Sequence, residues 1–196
     1  MKHNGFEYVD LGLPSGTKWA TCNVGANSET DNGLYFPCGG IVGLDSPHYE
    51  GNFDSHILKY NGDIKATLHL DNDAAHIHMG GKWHMPTKEQ FEELLDEKNT
   101  VSTWIYDYCI REVSGRLFRS RINNETLFIP ANGFISNHQY VQNGQTCSLW
   151  TSSLDFSSVY NCTDFFCDKY NTYLARTSAY YICIGIRGVF NTFWIK

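Results

Sequence analysis

Only one stretch of this 196-residue chain carries strong helical periodicity, and it limits what the rest can build. In MPTKEQFEELLDEK (85–98), Thr87 is placed to cap a helix through its hydroxyl, and Gln90 three residues later completes a capping box. Phe91, Leu94 and Leu95 then fall on one face, while Glu89, Glu92, Glu93 and Lys98 face water. This predicts a helix over about 87–98. The remainder reads as short strands and turns. EYVDLGLPSGTKWATCNVGA (7–26) alternates apolar and polar residues around the turn Leu13-Pro14-Ser15-Gly16. TWIYDYCI, GRLFRSR and TLFIPANGF predict further short strands, as do residues 146–154 and 181–190. Ser28-Glu29-Thr30-Asp31 predicts the start of a short helix, and residues 39–73, rich in Gly, Asn, Asp and His, predict long loops. One helix among many short strands implies an α+β fold with an antiparallel sheet. No internal repeat or low-complexity linker divides the chain, so 1–196 reads as a single domain.

Composition removes several function classes. The hydrophobic share of 42% supports a core, and no apolar run approaches the roughly 18 residues that a membrane span needs. The net charge of -6, spread along the chain, argues against nucleic acid as a partner, because phosphate binding needs a basic patch. The opening MKHNGFEYVDLGLPSG has no apolar core of a secretory signal. Seven cysteines, an odd number with no CxxC pair, suggest free thiols in a reducing compartment over a disulfide framework.

The most irregular stretch is LWTSSLDFSSVYNCTDFFCDKYNTYLARTSAYYICIGIRGVF (149–190). Its ends look like strands. Its middle mixes Tyr, Asn, Ser, Asp, Cys and Phe without the two-residue alternation of a half-buried strand. Tyr supplies large amphipathic contact area at low entropy cost, and Ser and Asn supply adaptable hydrogen bonds, the mixture found in antibody paratopes. The alternative is that these tyrosines simply cover a sheet, as aromatic residues often do.

Three ordered blocks decide between these readings: YVDLGLPSGTKWATCNVGA (8–26), GGKWHMPTKEQFEELL (80–95), and LFIPANGF followed by LWTSSL and IRGV (127–189). Together they resemble the C-type-lectin-like domain of gut-bacterial surface and phage proteins, a fold related to formylglycine-generating enzymes. The wording DNDAAHIHMGGKWHMPTKEQFEELL is most similar to the variable proteins of diversity-generating retroelements. The resemblance spans nearly the whole chain. It implies a C-type lectin-like fold whose segment about 155–183 is a hypervariable binding surface on a fixed scaffold. It also implies a protein or glycan receptor on a target cell as the partner, on a phage tail or a bacterial cell surface, with oligomerisation adding avidity.

Such systems randomise adenines, commonly in AAC-type codons. Those changes reach Asn, Tyr, Ser, Asp, Cys, Phe, Thr and Ile, but never Glu, Gln, Met, Trp or Lys. Glu, Gln, Met and Trp together make up 21 of the 196 residues, so a 28-residue window would hold about three. Residues 156–183 hold none of them, and a single Lys (Lys169), but five Tyr and three Cys. The resemblance assigns Trp150, Ser152, Ser153 and Leu154 to the framework, places Phe165 near a buried position, and closes the last strand with Arg187, Gly188 and Val189. The expected exposed contact residues are Tyr160, Thr163, Asp164, Phe166, Asp168, Tyr170, Tyr173, Tyr180 and Tyr181.

Three kinds of chemistry compete with binding. His76, His78 and His84 form the densest histidine group, and His76 and His78 would share one face of a strand, but no zinc spacing is matched. Cys162, Cys167 or Cys183 would be nucleophiles in an oxidase akin to formylglycine-generating enzymes. A reactive thiolate needs a base or positive charge, and here Asp164 and Asp168 stand close in sequence with no His. Asp71, Asn72 and Asp73 are a calcium-type cluster that reads as a turn. The expectation is therefore a binding protein, not an enzyme, without cofactor or obligatory metal. A non-diversified structural surface domain is the remaining alternative.

Overall fold

The computed structural model describes residues 1–48, 67–110, 112–154, 161–178 and 182–191. The chain starts with strands β1 (Lys2–His3), β2 (Phe6–Val9) and β3 (Thr17–Asn23). Two helices follow, α1 (Ala74–Met79) and α2 (Lys88–Leu95). A run of strands then completes the fold: β4 (Thr100–Ile105), β5 (Gly115–Ser120), β6 (Thr126–Pro130), β7 (Phe134–Ser136) and β8 (Gln139–Val141). The last are β9 (Cys147–Leu154), β10 (Asn161–Cys167), β11 (Thr172–Ser178), β12 (Ile182–Ile184) and β13 (Arg187–Asn191). They pair as four small antiparallel sheets with orders β1-β2-β3-β13, β4-β5-β6, β12-β7-β8 and β11-β10-β9. The class is α+β, built from short antiparallel strands and two helices.

Helix α2 starts as the capping box requires. The Gln90 backbone N–H donates to Thr87 Oγ1 at 3.3 Å, and the Thr87 N–H donates to Gln90 Oε1 at 2.9 Å. It ends at Leu95, three residues before the predicted end, because side chains from beyond it take its last carbonyls. Asn99 Nδ2 donates to Glu93 O at 2.8 Å and Thr100 Oγ1 to Leu94 O at 2.6 Å. Helix α1 carries His76 and His78, so they do not share a strand face. Asp73 caps it by accepting from the His76 N–H at 2.8 Å, and Gly80, at φ 64°, ends it. The Asp73 carboxylate also accepts from the Met85 N–H at 2.8 Å, so the acidic run 71–73 organises a helix start. Residues 28–31, where a short helix was expected, form turns, with Asp31 accepting from the Asn27 and Gly33 N–H groups. The predicted strand at 181–190 is two strands, β12 and β13, in different sheets.

The missing alternation near the C-terminus has a physical cause. Several strands are covered on both faces, each face by a different core. Leu149 and Trp150 of β9 go to opposite sides, as do Trp19 and Ala20 of β3 and Val189 and Phe190 of β13. One core joins these strands to Phe91 and Leu94 of α2, with Phe118 and Phe165; the other joins them to Met79 of α1, Trp83, Met85 and Phe36. In that second core Cys38 and Cys162 form a disulfide, with Cα atoms 6.5 Å apart. This corrects the expectation of free thiols throughout. The two cysteines lie 124 residues apart, and their odd-numbered company carries no signal of pairing.

Arg187 fastens the ends of the chain together. It is fully buried at the first position of β13, where a bulge at Gly188 interrupts the pairing with β3. Its Nε donates to Asn23 Oδ1 at 2.9 Å, its Nη1 to the carbonyls of Ala20 (3.0 Å) and Thr21, and its Nη2 to Phe128 O at 3.2 Å. One side chain thus ties β13, β3 and β6. Burial pushes its pKa down to about 10, which leaves it charged at neutral pH. A side chain at Gly188 would force Met79 to move, since a Cβ there would lie 2.6 Å from Met79 Sδ. Arg187→Met keeps much of the stem but strands these acceptors. It is expected to lower unfolding free energy by about 3–5 kcal/mol, read from urea denaturation followed by circular dichroism.

Candidate functional site

Strands β10 and β11 form a hairpin in full register from Asn161↔Ser178 to Cys167↔Thr172. Its connection is the four-residue turn Asp168–Asn171. Asp168 shapes that turn by accepting, at Oδ1, the backbone N–H groups of Tyr170 (2.7 Å) and Asn171 (2.6 Å). The Asp168 N–H in turn donates to Asn171 O at 3.0 Å.

The inner side of the hairpin belongs to the framework. Phe165 is fully buried and stacks on Phe91 of α2, with ring centroids 4.8 Å apart and planes 7° from parallel. Cys167 is buried opposite Cys147 of β9. Strand β9 is itself held in place by Asn132, whose side-chain amide donates to Ser148 O (2.9 Å) and accepts from the Ser148 N–H (3.0 Å), imitating a strand neighbour. Arg116 of β5, also buried, reaches under the turn. Its Nη2 donates to Asp168 O at 2.6 Å and approaches Asn171 O at 3.4 Å, and its guanidinium lies 5.8 Å from the centre of the Trp104 ring.

The outer side and tip carry exposed aromatic surface. Tyr170 is 80% exposed and Tyr173 47%, and Tyr173 pairs across the strands with half-buried Phe166, their rings 5.1 Å apart. Lys169 places its ammonium 5.1 Å from the Tyr170 ring and 5.6 Å from the ring of Tyr106, which follows β4 and is 59% exposed. Tyr106, Lys169 and Tyr170 therefore make a continuous patch drawn from two distant parts of the sequence.

Several of the expected contact residues behave differently. Thr163 and Asp164 are only 8% and 4% exposed, which corrects their assignment to the surface. Both lie in the part of β10 that also pairs with β9, and the Thr163 carbonyl accepts from Thr151 Oγ1 at 2.8 Å. Asp168 is half-exposed, but its carboxylate is engaged in the turn. Phe166, Tyr170 and Tyr173 come together on the outer surface. Tyr160, Tyr180 and Tyr181 lie outside the described residues. Sequence reasoning missed Arg116, Tyr106 and Lys169. Lys169 carried a signal, as the single lysine in a window whose codon pattern disfavours it. Tyr106 lay inside a stretch read as strand, whereas β4 stops at Ile105.

His76 Nδ1, His78 Nε2 and His84 Nδ1 each meet a different backbone carbonyl, of Trp83, Ile41 and Met85 respectively. Among the described residues, no three His, Cys, Asp or Glu side chains are grouped to hold a metal. Cys162 is in a disulfide, burial pushes the Cys183 thiol up to about 12, and Cys167 is buried, but the Cys147 thiol and the Arg116 guanidinium outweigh its burial and lower its pKa. Among the described residues, no helix is long and apolar enough to cross a membrane. No family model, curated protein or solved structure matches the chain.

The turn has a pH-dependent prediction. Burial works against the Asp168 carboxylate, but the N–H groups of Asn171 and Tyr170 and the charge of Arg116 outweigh it and hold its pKa below the ordinary 3.8. Its support of the turn is therefore complete above pH 3.8 and lost as pH falls through the lower folded value. In an NMR titration, the Tyr170 and Asn171 amides are expected to move together with the Asp168 carboxyl, at a midpoint below 3.8. Arg116→Met is expected to cost about 1–3 kcal/mol and to speed amide exchange in the hairpin more than in β5–β6.

Proposed function

We propose that this chain is a ligand-binding protein whose contact surface is the outer side and tip of the β10–β11 hairpin, with Phe166, Tyr170 and Tyr173 as contact residues. The observation that carries this reading is the division of labour within one hairpin. Phe165, Cys167 and the Arg116 contacts fix it from within, while Tyr170 and Tyr173 are exposed and belong to neither core, Tyr173 touching only its cross-strand neighbour Phe166 among the ring contacts of the described residues. Rigid amphipathic aromatics on an anchored loop lose little entropy on binding, which is how paratopes gain affinity.

The resemblance of the three sequence blocks extends the proposal. It makes the framework a C-type lectin-like domain, the segment about 155–183 a region diversified by a retroelement, and the chain a phage receptor-binding protein or a bacterial surface adhesin. The partner would then be a protein or glycan on a target cell. The absence of Glu, Gln, Met and Trp from 156–183 supports this, because adenine replacement in AAC-type codons cannot create them.

Two measurements test the proposal at separate levels. At the locus, diversification requires a reverse transcriptase gene and a second copy of the 3′ segment differing only at adenines; a locus with neither removes the retroelement. At the protein, the double substitution Tyr170→Ala/Tyr173→Ala is expected to abolish adsorption to whichever cells or immobilised surface glycans the unaltered chain binds. Single truncations of such exposed anchors typically cost upwards of about 1–2 kcal/mol, or roughly tenfold each. The melting temperature should stay unchanged, since neither ring belongs to a core. Retained adsorption by the double variant would move the site elsewhere.

A further inference from the structure

We infer that Cys147 and Cys167 are an oxidisable pair that closes a second disulfide, crosslinking the stem of the β10–β11 hairpin to strand β9. The two residues are direct partners in the antiparallel pairing of β9 with β10, at the end of the strands next to the Asp168–Asn171 turn. Both are fully buried and belong to the same core, so their side chains leave the sheet on the same side. Directly opposed residues of antiparallel strands have Cβ atoms about 4.5–5.5 Å apart. A disulfide needs about 3.5–4.5 Å. The remaining closure is small, because the pairing register and the shared core already bring the two side chains to the same side of the sheet.

The surroundings differentiate the two sulfurs. Burial opposes ionisation of both. At Cys167 this is outweighed by the hydrogen bond from the Cys147 thiol and by the Arg116 guanidinium, which together lower its pKa. At Cys147 burial and the bond to Cys167 push the pKa well above the ordinary value, so the proton stays there. Ile129 O, 3.3 Å from Cys147 Sγ, is a second acceptor for that proton. Cys167 is thus the attacking sulfur and Cys147 the resolving one. The other free cysteines lack this arrangement: Cys183 faces Ile135 across its strand pair, Cys109 is exposed, and Cys22 lies on β3.

The oxidant is a small organic disulfide. The Cys167 thiolate attacks one of its sulfurs, breaking that S–S bond and forming a mixed disulfide, and the first small thiolate leaves and takes up a proton. The Cys147 thiol then loses its proton and attacks Cys167 Sγ. The Cys147–Cys167 bond forms and the second small thiol departs. Two protein thiols are oxidised, and one disulfide is reduced to two thiols. Cys167 immediately precedes the turn, so the exchange occurs while the turn is open, during folding or by fraying at that end.

The test uses the full chain with its Cys38–Cys162 disulfide closed and its other cysteines as thiols, incubated with excess oxidised glutathione, then denatured, alkylated and digested with chymotrypsin for mass spectrometry. Those other cysteines are Cys22, Cys109, Cys147, Cys167 and Cys183. The expected result is a peptide joining Cys147 to Cys167, with alkylation lost at both and no glutathione retained on either, whatever the exposed Cys109 takes up. Alkylation of both Cys147 and Cys167, a glutathione adduct retained on either, or a bond from either to another cysteine would overturn the proposal. In Cys147→Ser the reaction is expected to stop as a glutathione adduct on Cys167; a fully alkylated Cys167 in that variant would overturn the assigned order of attack.

Discussion

A buried guanidinium held mainly by backbone carbonyls governs this fold. Arg187 lies in the interior and is satisfied by four acceptors, three of them backbone carbonyls, from β3 and β6. A lysine, with a single nitrogen, could not reproduce this fork of donors. The acceptors come from β3 and β6, so the guanidinium is satisfied only when the N-terminal strands, the central sheet and β13 are assembled together. Such a group adds little net stability, because desolvation offsets its bonds, but it disfavours arrangements in which those strands meet in another register.

The framework fixed in this way lets one hairpin have two characters. Its inner register is as constrained as any core strand, through the Phe165–Phe91 stack and the Arg116 bonds to the turn carbonyls. On its other face packing ends part-way along: Cys162 and Asp164 are buried, whereas Phe166 is half-buried and Tyr173 is exposed. The same strand therefore contains positions where truncation would open a cavity and positions where it would only expose backbone to water. The unequal burial of Thr163 and Tyr173, both expected at the surface, follows from whether the hairpin has a neighbour at that point. Thr163 lies within the span of β10 covered by β9, whereas β11 has β10 as its only sheet partner among the described residues.

Local signals in the sequence were legible and long-range ones were not. The capping box at Thr87 and Gln90 is a four-residue pattern, and it appears as read. The N-terminal hairpin, with its turn around Leu13–Gly16, also follows from nearby residues. Helix α1 went unread because its cap at Asp73 also serves Met85, twelve residues away, and the run 71–73 reads locally as a turn. The disulfide between Cys38 and Cys162 and the reach of Arg116 to the turn at Asp168 join residues with no shared local pattern. The broken alternation in 149–190 was a true signal with two causes: β9, β13 and the first half of β10 are covered on both faces, while the hairpin towards its turn keeps Phe166 and Tyr173 on a less covered face. A single sequence does not distinguish a strand with two interiors from one with a free side.

The strict register of the hairpin has a further consequence for how this region can change. Inserting or deleting one residue between Cys162 and Cys167 would rotate Phe166 into the place of Phe165, against Phe91, and would turn an inward side chain out to water. Exchange of side chains in place leaves the reading frame of the pleat intact. At the outward positions of this hairpin a side chain can be exchanged in place, whereas a change in length would dismantle the packing beneath.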